Sequence, residues 1–476
     1  MSVLWTSEAL ARAMGARVSG APSHEIKGVS IDSRTIEPGA AFFAIKGDRV
    51  DGHDYVTKAL ARGAGVAVIA AERLAAMPTG APLLIVEDVL EALRAAARAA
   101  RARSGAKVIA VTGSAGKTGT KDALKLVLAR EGETHASVAS FNNHWGVPLS
   151  LARLPESARF AVFELGMNHA GEIEPLVKLV RPHVAIITTI EAVHLEYFSG
   201  IEAIADAKAE IFLGLEPDGA AVLPRDNPQF ARLAEAARKA KVARIVSFGE
   251  HPEAGARSID AGLKADCSTV QARILGDDVT YKVGAAGRHL VMNSLAVLAA
   301  AKLVGADLAL SALALADLVP PTGRGRRLTL DVGDGDALLI DESYNANPAS
   351  MRAALDVLAQ APIGKRGRRV AVLGDMLELG PDAAELHRGL AEAVTNAKVD
   401  TVYCAGPLMH ELWDALPAAL RGGYAESADL LEPEVVASVR AGDAIMVKGS
   451  NGSRMGPIVR ALAERFRAPS AAGTAV

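Results

Sequence analysis

The sequence predicts an α/β fold in three units: a small N-terminal α/β domain, a central P-loop-type sheet and a C-terminal Rossmann-like domain. Short apolar runs alternate with stretches at helical spacing through most of the 476 residues, as strands and helices do in layered α/β proteins. Turn formers interrupt the alternation twice, at Ser104-Gly105 and at Pro320-Pro321-Thr322-Gly323, which divides the chain into 1–104, 105–321 and 322–476. One apolar run, Val108 to Val111, breaks into a glycine loop and resumes as a helix carrying Ala123, Leu124, Val127 and Leu128 on its inner face.

In the first unit, Ser30-Ile31, Ala41 to Ile45, Val66 to Ile69 and Leu83 to Val86 read as strands. Tyr55 to Ala61 and the Ala/Arg-rich Val89 to Arg103 read as helices. The central unit reads as further strand–helix repeats, with buried strands at Phe160 to Glu164 and Val184 to Thr188. The third restarts the pattern with strands at Ala337 to Asp341, Arg369 to Leu373, Thr401 to Cys404 and Ala444 to Val447.

The glycine loop Thr112-Gly113-Ser114-Ala115-Gly116-Lys117-Thr118 sets the chemistry. Glycines let backbone N–H groups close around phosphate oxygens, and the positive end of the following helix faces them. Lys117 supplies a cation for a polyphosphate, and the Thr118 hydroxyl is placed to ligate Mg²⁺. The longer P-loop pattern has glycine where this chain has Val111, so the match is to the shorter form TGxxGKT.

Bulk properties exclude several classes. A net charge of −3, from 52 basic and 55 acidic residues, gives no electrostatic case for nucleic acid or a membrane surface. Cys267 and Cys404 lie far apart with no metal-ligand spacing, which fits a reducing compartment. The stretch Met1 to Glu8 has no basic and apolar signal pattern, and no apolar run approaches bilayer length, so a soluble cytoplasmic protein is expected.

Polar residues at strand ends supply the other candidates, because ligands of open α/β sheets bind beyond the strands' carboxyl ends. Glu164 ends Phe160 to Glu164 and is a candidate Mg²⁺ ligand opposite Thr118, or a surface ion pair. His194 follows the strand at Val184 and is either a ligand, as the second of two neighbouring polar strand ends, or a structural histidine. Asn142 and Asn143 precede His144-Trp145-Gly146-Val147-Pro148 and either hold a phosphate or sugar or simply form a turn. Lys208 reads as a solvated lysine on an amphipathic helix. Asp226-Asn227-Pro228 reads as a turn. Asn293 either presents its amide to an adenine edge or caps a helix. Gly323-Arg324-Gly325-Arg326 places two guanidiniums on a flexible hinge, where a transferring phosphate is within reach. Asn347 before Pro348 is a helix cap. Asp341, Tyr344 and Asn345 beside it exceed what a cap needs, and Gly374 to Gly380 and Val447-Lys448-Gly449-Ser450 form two further polar strand ends.

In this order, TGSAGKT, NNHWGVP, FELGMN, the helix around Lys208, GRHLVMNSLA, GRGR, DESYNANPASM, GDMLELG and VKGS resemble the Mur ligase family over roughly Asp32 to Arg454. DESYNANPASM and GDMLELG are similar to the branch that adds D-alanyl-D-alanine. The resemblance implies an N-terminal domain for the UDP end of a substrate, a central ATPase and a closing C-terminal domain. It implies an ATP-dependent amide ligase acting on UDP-N-acetylmuramoyl-tripeptide and D-alanyl-D-alanine through an acyl phosphate, as a monomer. It also implies a role for each residue. Lys117 would neutralise the β- and γ-phosphates held by Gly113 to Thr118, and Thr118 and Glu164 would hold one Mg²⁺. His194 and a carbamoylated Lys208 would hold a second, which replaces the solvated reading of that lysine. Asn293 and the Asp341-to-Asn347 loop, Asp341 and Asn345 in particular, would hold the adenosine, and Arg324 the transferred phosphate. Ser33, Arg34, Gly47 and the turn Asp51-Gly52-His53 resemble the uridine and pyrophosphate region. Asn345, Asn347 and Lys448 would lie near the dipeptide.

Overall fold

Val108 and Ala110 point into one apolar core while Ile109 and Val111 point into another, so the strand Lys107–Thr112 is covered on both faces. The computed structural model describes residues 3–47, 50–138, 140–193 and 195–467. Lys107–Thr112 lies inside a nine-stranded sheet whose spatial order is Asp277–Val283, Ser268–Ile274, Ala256–Leu263, Arg244–Gly249, Ala220–Pro224, Val184–Ile187, Lys107–Thr112, Phe160–Glu164 and Thr134–Ala136. It therefore sits between the strands that follow it in sequence, where the winding reverses and a crevice opens beyond the strand ends. Register places Glu164 beside Val111 and Ile187 beside Thr112, which brings three strand ends to the glycine loop.

The expected strand–helix repeat fails at one edge of this sheet. Ala256–Leu263, Ser268–Ile274 and Asp277–Val283 form an antiparallel meander. In Ser268–Ile274 every second residue is buried, from Ser268 through Val270 and Ala272 to Ile274. That two-residue period marks a sheet with one face on the core and the other in water.

Helices Lys117–Leu128 and Arg288–Leu303 pack on one face of the central sheet, filling it with Leu124, Val127, Leu128, Leu295 and Leu298. Gly146–Ala152, Ile173–Val180 and Ile201–Ala209 cover the other face. The N-terminal sheet has five strands in the order Arg17–Ser19, Leu83–Val86, Val66–Ala70, Ala40–Phe43 and Gly28–Ser30, with Arg17–Ser19 antiparallel to its neighbour. Its helix Val89–Arg103 joins the two units. Leu93, Ala96 and Ala100 enter the N-terminal core, while Ala97 enters the central one.

The third unit has a six-stranded sheet in the order Arg326–Asp331, Asp336–Glu342, Ala444–Lys448, Arg369–Gly374, Thr401–Ala405 and Arg421–Ala425. All neighbours are parallel except Arg326–Asp331, which pairs antiparallel with Asp336–Glu342. The supposed hinge at Gly323 to Arg326 is thus a fastened turn. Arg326 begins a strand, Gly325 N–H donates to the Asp341 carbonyl, and Arg324 N–H donates to that of Pro321.

Candidate active site

The strand Lys107–Thr112 delivers the glycine loop into a crevice of about 800 Å³ between the central and third sheets. Gly113 has φ +145°, and a Cβ there would lie 1.9 Å from the Thr188 hydroxyl, so no other residue fits the turn. Ser114 accepts from Glu191 N–H at 2.9 Å and donates to the Glu191 carbonyl at 3.1 Å, fixing the loop from the neighbouring strand end. Lys117 Nζ donates to the Gly113 carbonyl at 2.7 Å and lines the crevice with Ser114, Ala115 and Gly116.

Behind this loop, the buried Thr118 donates its hydroxyl proton to Glu164 Oε2 at 2.8 Å. The other carboxylate oxygen, Oε1, accepts from Asn142 Nδ2 at 2.7 Å. Asn142 comes this close because Gly166 has no side chain: a Cβ there would fall 2.7 Å from the amide carbon. Asn143 serves its own turn, its Oδ1 accepting from Trp145 and Gly146 N–H groups at the start of Gly146–Ala152.

Lys208 is not solvated, as its amphipathic surroundings suggest, but only 2% exposed. Burial, and then the like charge of Lys117, hold its pKa well below the ordinary lysine value. The Lys117 pKa is lowered by burial and by Arg324, against the pull of Glu164. His194 lies outside the described residues. Among the described residues no cluster of three or more His, Cys, Asp or Glu side chains is arranged to hold a metal. Thr118 and Glu164 nevertheless suit a hard divalent cation. Adjacent oxygen ligands of octahedral Mg²⁺ lie about 2.9 Å apart, which is close to their present separation.

The opposite wall comes from the third sheet. Lys448 is 2% exposed; its Nζ donates to the Asn345 carbonyl at 2.9 Å and lies 3.5 Å from Glu342 Oε2. Burial lowers its pKa, with Arg324 adding to the effect and Glu342 opposing it. Asn345, Asn347 and Arg324 line the crevice. Asn347 is also the cap of Pro348–Ala359, accepting from Ser350 N–H at 2.8 Å.

Two of the expected residues are placed by their local contacts. Asp341 does not line the crevice: it is 1% exposed, and its carboxylate accepts from Gly323 N–H at 2.8 Å and from the Ser343 hydroxyl at 2.6 Å. Its acceptors hold the connecting turn. Asn293 is not a cap, because Arg288–Leu303 starts after Gly287. Instead its amide nitrogen stands 2.7 Å from where a Gly116 Cβ would be, directly against the glycine loop.

Ser33, Arg34 and Gly47 lie on the N-terminal unit, away from the crevice wall. Ser33 is buried, and Arg34 forks onto Asp32 at 2.8 to 3.2 Å. Gly47 packs under Trp145, 3.1 Å from its ring to a notional Cβ, so the Asn142–Pro148 loop reaches the N-terminal unit here. His53 is taken up internally, its Nε2 accepting from Ala70 N–H at 3.0 Å.

Sequence reasoning missed Glu191 and His289, named Glu342 only as part of the Asp341-to-Asn347 loop, and read Asp226-Asn227 only as a turn. All line the crevice. Asp226 accepts from Glu250 and His251 N–H groups, while Asn227 donates to Thr189 and to the Ile190 carbonyl. The strand-end rule that selected Glu164 also covers Ala220–Pro224, and applying it there finds both residues.

The comparisons with known proteins cover the same three units. Mur ligase models match in succession: the catalytic domain at residues 25–101, the middle domain at 111–301 and the glutamate ligase domain at 326–451. The chain is 35% identical to the UDP-N-acetylmuramoyl-tripeptide--D-alanyl-D-alanine ligase of Escherichia coli, over 92% of this chain and 93% of that one. With the enzyme of the same name from Rickettsia prowazekii it shares 32% identity, over 96% and 99%. Among solved structures, MurF from Acinetobacter baumannii superposes with a TM-score of 0.83 at 31% identity, covering 97% of this chain and 99% of that one. The MurF ligase from Thermotoga maritima in complex with ADP has the same fold, with a TM-score of 0.75 at 24% identity over 92% and 97%. With all three models matched in order and relatives aligned over nearly the full length, the chain belongs to the Mur ligase family.

Proposed function

We infer that this protein is an ATP-dependent amide ligase that joins D-alanyl-D-alanine to UDP-N-acetylmuramoyl-tripeptide in the synthesis of peptidoglycan precursor. The observation that carries the reading is one crevice with two unlike walls. On one side is a phosphate loop with Thr118 and Glu164 2.8 Å apart beneath it; on the other are Lys448 and Asn345. The similarity to D-alanyl-D-alanine ligases over nine-tenths of the chain selects the reaction.

The tripeptide carboxylate is a poor electrophile because its leaving group would be oxide. Attack by this carboxylate on the γ-phosphorus of ATP breaks the bond to ADP and gives an acyl phosphate. The dipeptide amine then adds to the acyl carbon, and phosphate departs as the amide forms. Lys117 and Arg324 face the charge that moves onto the transferred group, one from each wall. Lys448 and Asn345 face the incoming dipeptide, and the crevice walls keep water from the acyl phosphate.

Thr118 and Glu164 would hold one Mg²⁺, which neutralises phosphate charge when bound. Lys208 is suited to carbamoylation, since a desolvated amine with a lowered pKa is neutral enough to add CO₂. The carbamate would place a negative charge near Lys117 and, with His194, supply oxygen and nitrogen donors for a second Mg²⁺. Ser33, Arg34 and Gly47 would take the uridine end, with Asn142 and Asn143 on the loop between that end and the phosphate site. We also read the domains as 1–104, 105–321 and 322–476. We place the protein in the cytoplasm as a monomer; no described helix is long and apolar enough to cross a membrane.

The test is phosphate release from ATP by the purified protein. Release should require both the tripeptide nucleotide and D-alanyl-D-alanine. Release that is indifferent to the dipeptide would contradict a ligase.

A further inference from the structure

We propose that Tyr344 is a positioning residue that couples Arg324 to the Glu164 side of the crevice, so that the phosphate clamp is complete only when the two walls are docked. The inference rests on the ligase reading above and concerns how its two halves are held together.

The Arg324 guanidinium carbon lies 4.0 Å from the centroid of the Tyr344 ring. No ion pair among the described residues holds Arg324, so the ring face is what orients it. The two residues share a backbone: Tyr344 N–H donates to the Gly323 carbonyl at 3.0 Å, and a Cβ on Gly323 would press within 2.9 Å of the Tyr344 Cβ. From the far end of the same ring, the Tyr344 hydroxyl hydrogen-bonds the Ser140 hydroxyl, which belongs to the central unit.

The contact continues inward from Ser140 without a gap. The Ser140 carbonyl accepts from Asn142 N–H at 2.8 Å, Asn142 Nδ2 donates to Glu164 Oε1 at 2.7 Å, and Glu164 Oε2 accepts from Thr118 at 2.8 Å. One chain of contacts therefore links the guanidinium expected at the transferred phosphate to the carboxylate expected at its metal ion. Tyr344 is 37% exposed, so it is not placed there to fill a core. A ring that stacks on one crevice group and reaches across to the opposite wall is placed to set orientation, and removing only its hydroxyl should leave the fold intact.

The test uses full-length protein with ATP, tripeptide nucleotide and D-alanyl-D-alanine, and compares wild type with Tyr344→Phe, Ser140→Ala and the double variant. Each single change should lower kcat roughly fivefold, about what one hydrogen bond is worth, with KM for ATP and the thermal midpoint unchanged. The double variant should be no slower than the slower single, because both remove the same bond. Tyr344→Leu, which also removes the ring, should approach the loss seen in Arg324→Ala, and combining those two should add little. Single variants at wild-type kcat, or losses that multiply in the double, would overturn the coupling. A fall in thermal midpoint with kcat per folded molecule unchanged would also overturn it, by showing a merely structural role. If wild-type protein releases no phosphate with all three substrates, the ligase reading falls and this inference with it. Wild-type turnover with unaffected variants removes this inference alone.

Discussion

The Thr118 hydroxyl and the Glu164 carboxylate, 46 positions apart in sequence, meet at 2.8 Å beneath the phosphate loop. Glu164→Gln keeps the size of the side chain and its bond to Thr118 but removes the charge. Activity should fall by at least about a hundredfold, and the Mg²⁺ concentration giving half-maximal phosphate release should rise. A magnesium titration of both proteins checks this, and an unchanged midpoint would mean that Glu164 does not hold the ion.

Lys208 is buried beside Lys117, and burial first and that like charge second lower its pKa. Lys208→Ala should lose nearly all activity and regain part of it with added formate or acetate, which return a carboxylate to the space. The wild type should weaken in CO₂-free buffer and recover with bicarbonate. Activity assays under both conditions, with ¹³C NMR of protein supplied with labelled bicarbonate, separate a carbamate from a plain lysine.

Lys448 reports on the other wall. Lys448→Ala removes the donor to the Asn345 carbonyl and leaves Glu342 without its cation. The KM for D-alanyl-D-alanine should rise by about tenfold or more, while the KM for ATP changes little. Steady-state kinetics with each substrate varied in turn distinguishes this from a general loss, in which both constants move together.

His135 sets part of the acid limit of stability. Its pKa is lowered to about 4, chiefly by burial, while its ring donates to the Ser150 carbonyl at 2.7 Å. The unfolded chain, with histidine near 6.5, binds the extra proton more readily, so stability is full above that pH and is lost as pH falls toward about 4. His135→Gln should have a thermal midpoint that falls less steeply between these two pH values than that of the wild type. Parallel curves would mean that this histidine contributes nothing to the acid limb.

The strands that bear the site were legible because they are continuous apolar runs. Phe160–Glu164 and the helix Val89–Arg103 have the bounds their patterns suggest. The meander from Ala256 to Val283 was harder, since its strands are half polar and resemble loops unless alternation is counted residue by residue. The nearness of Thr118 to Glu164 and the place of Lys448 on the crevice were legible from their positions at strand and helix ends. Lys208 was not, because a lysine's burial depends on what the rest of the chain packs around it. Asp341 shows the opposite case: a carboxylate at a strand end can be taken up by its own turn, and its bond to Gly323 lies 18 positions away in sequence.

The central claim is that a substrate carboxylate is phosphorylated in the crevice before the amide forms, and an oxygen-isotope experiment tests it most directly. Tripeptide nucleotide labelled with ¹⁸O in its terminal carboxylate is incubated with the protein, ATP and D-alanyl-D-alanine, and the released phosphate is analysed by mass. An acyl-phosphate route carries one labelled oxygen into each phosphate formed. Unlabelled phosphate alongside amide product would contradict the account.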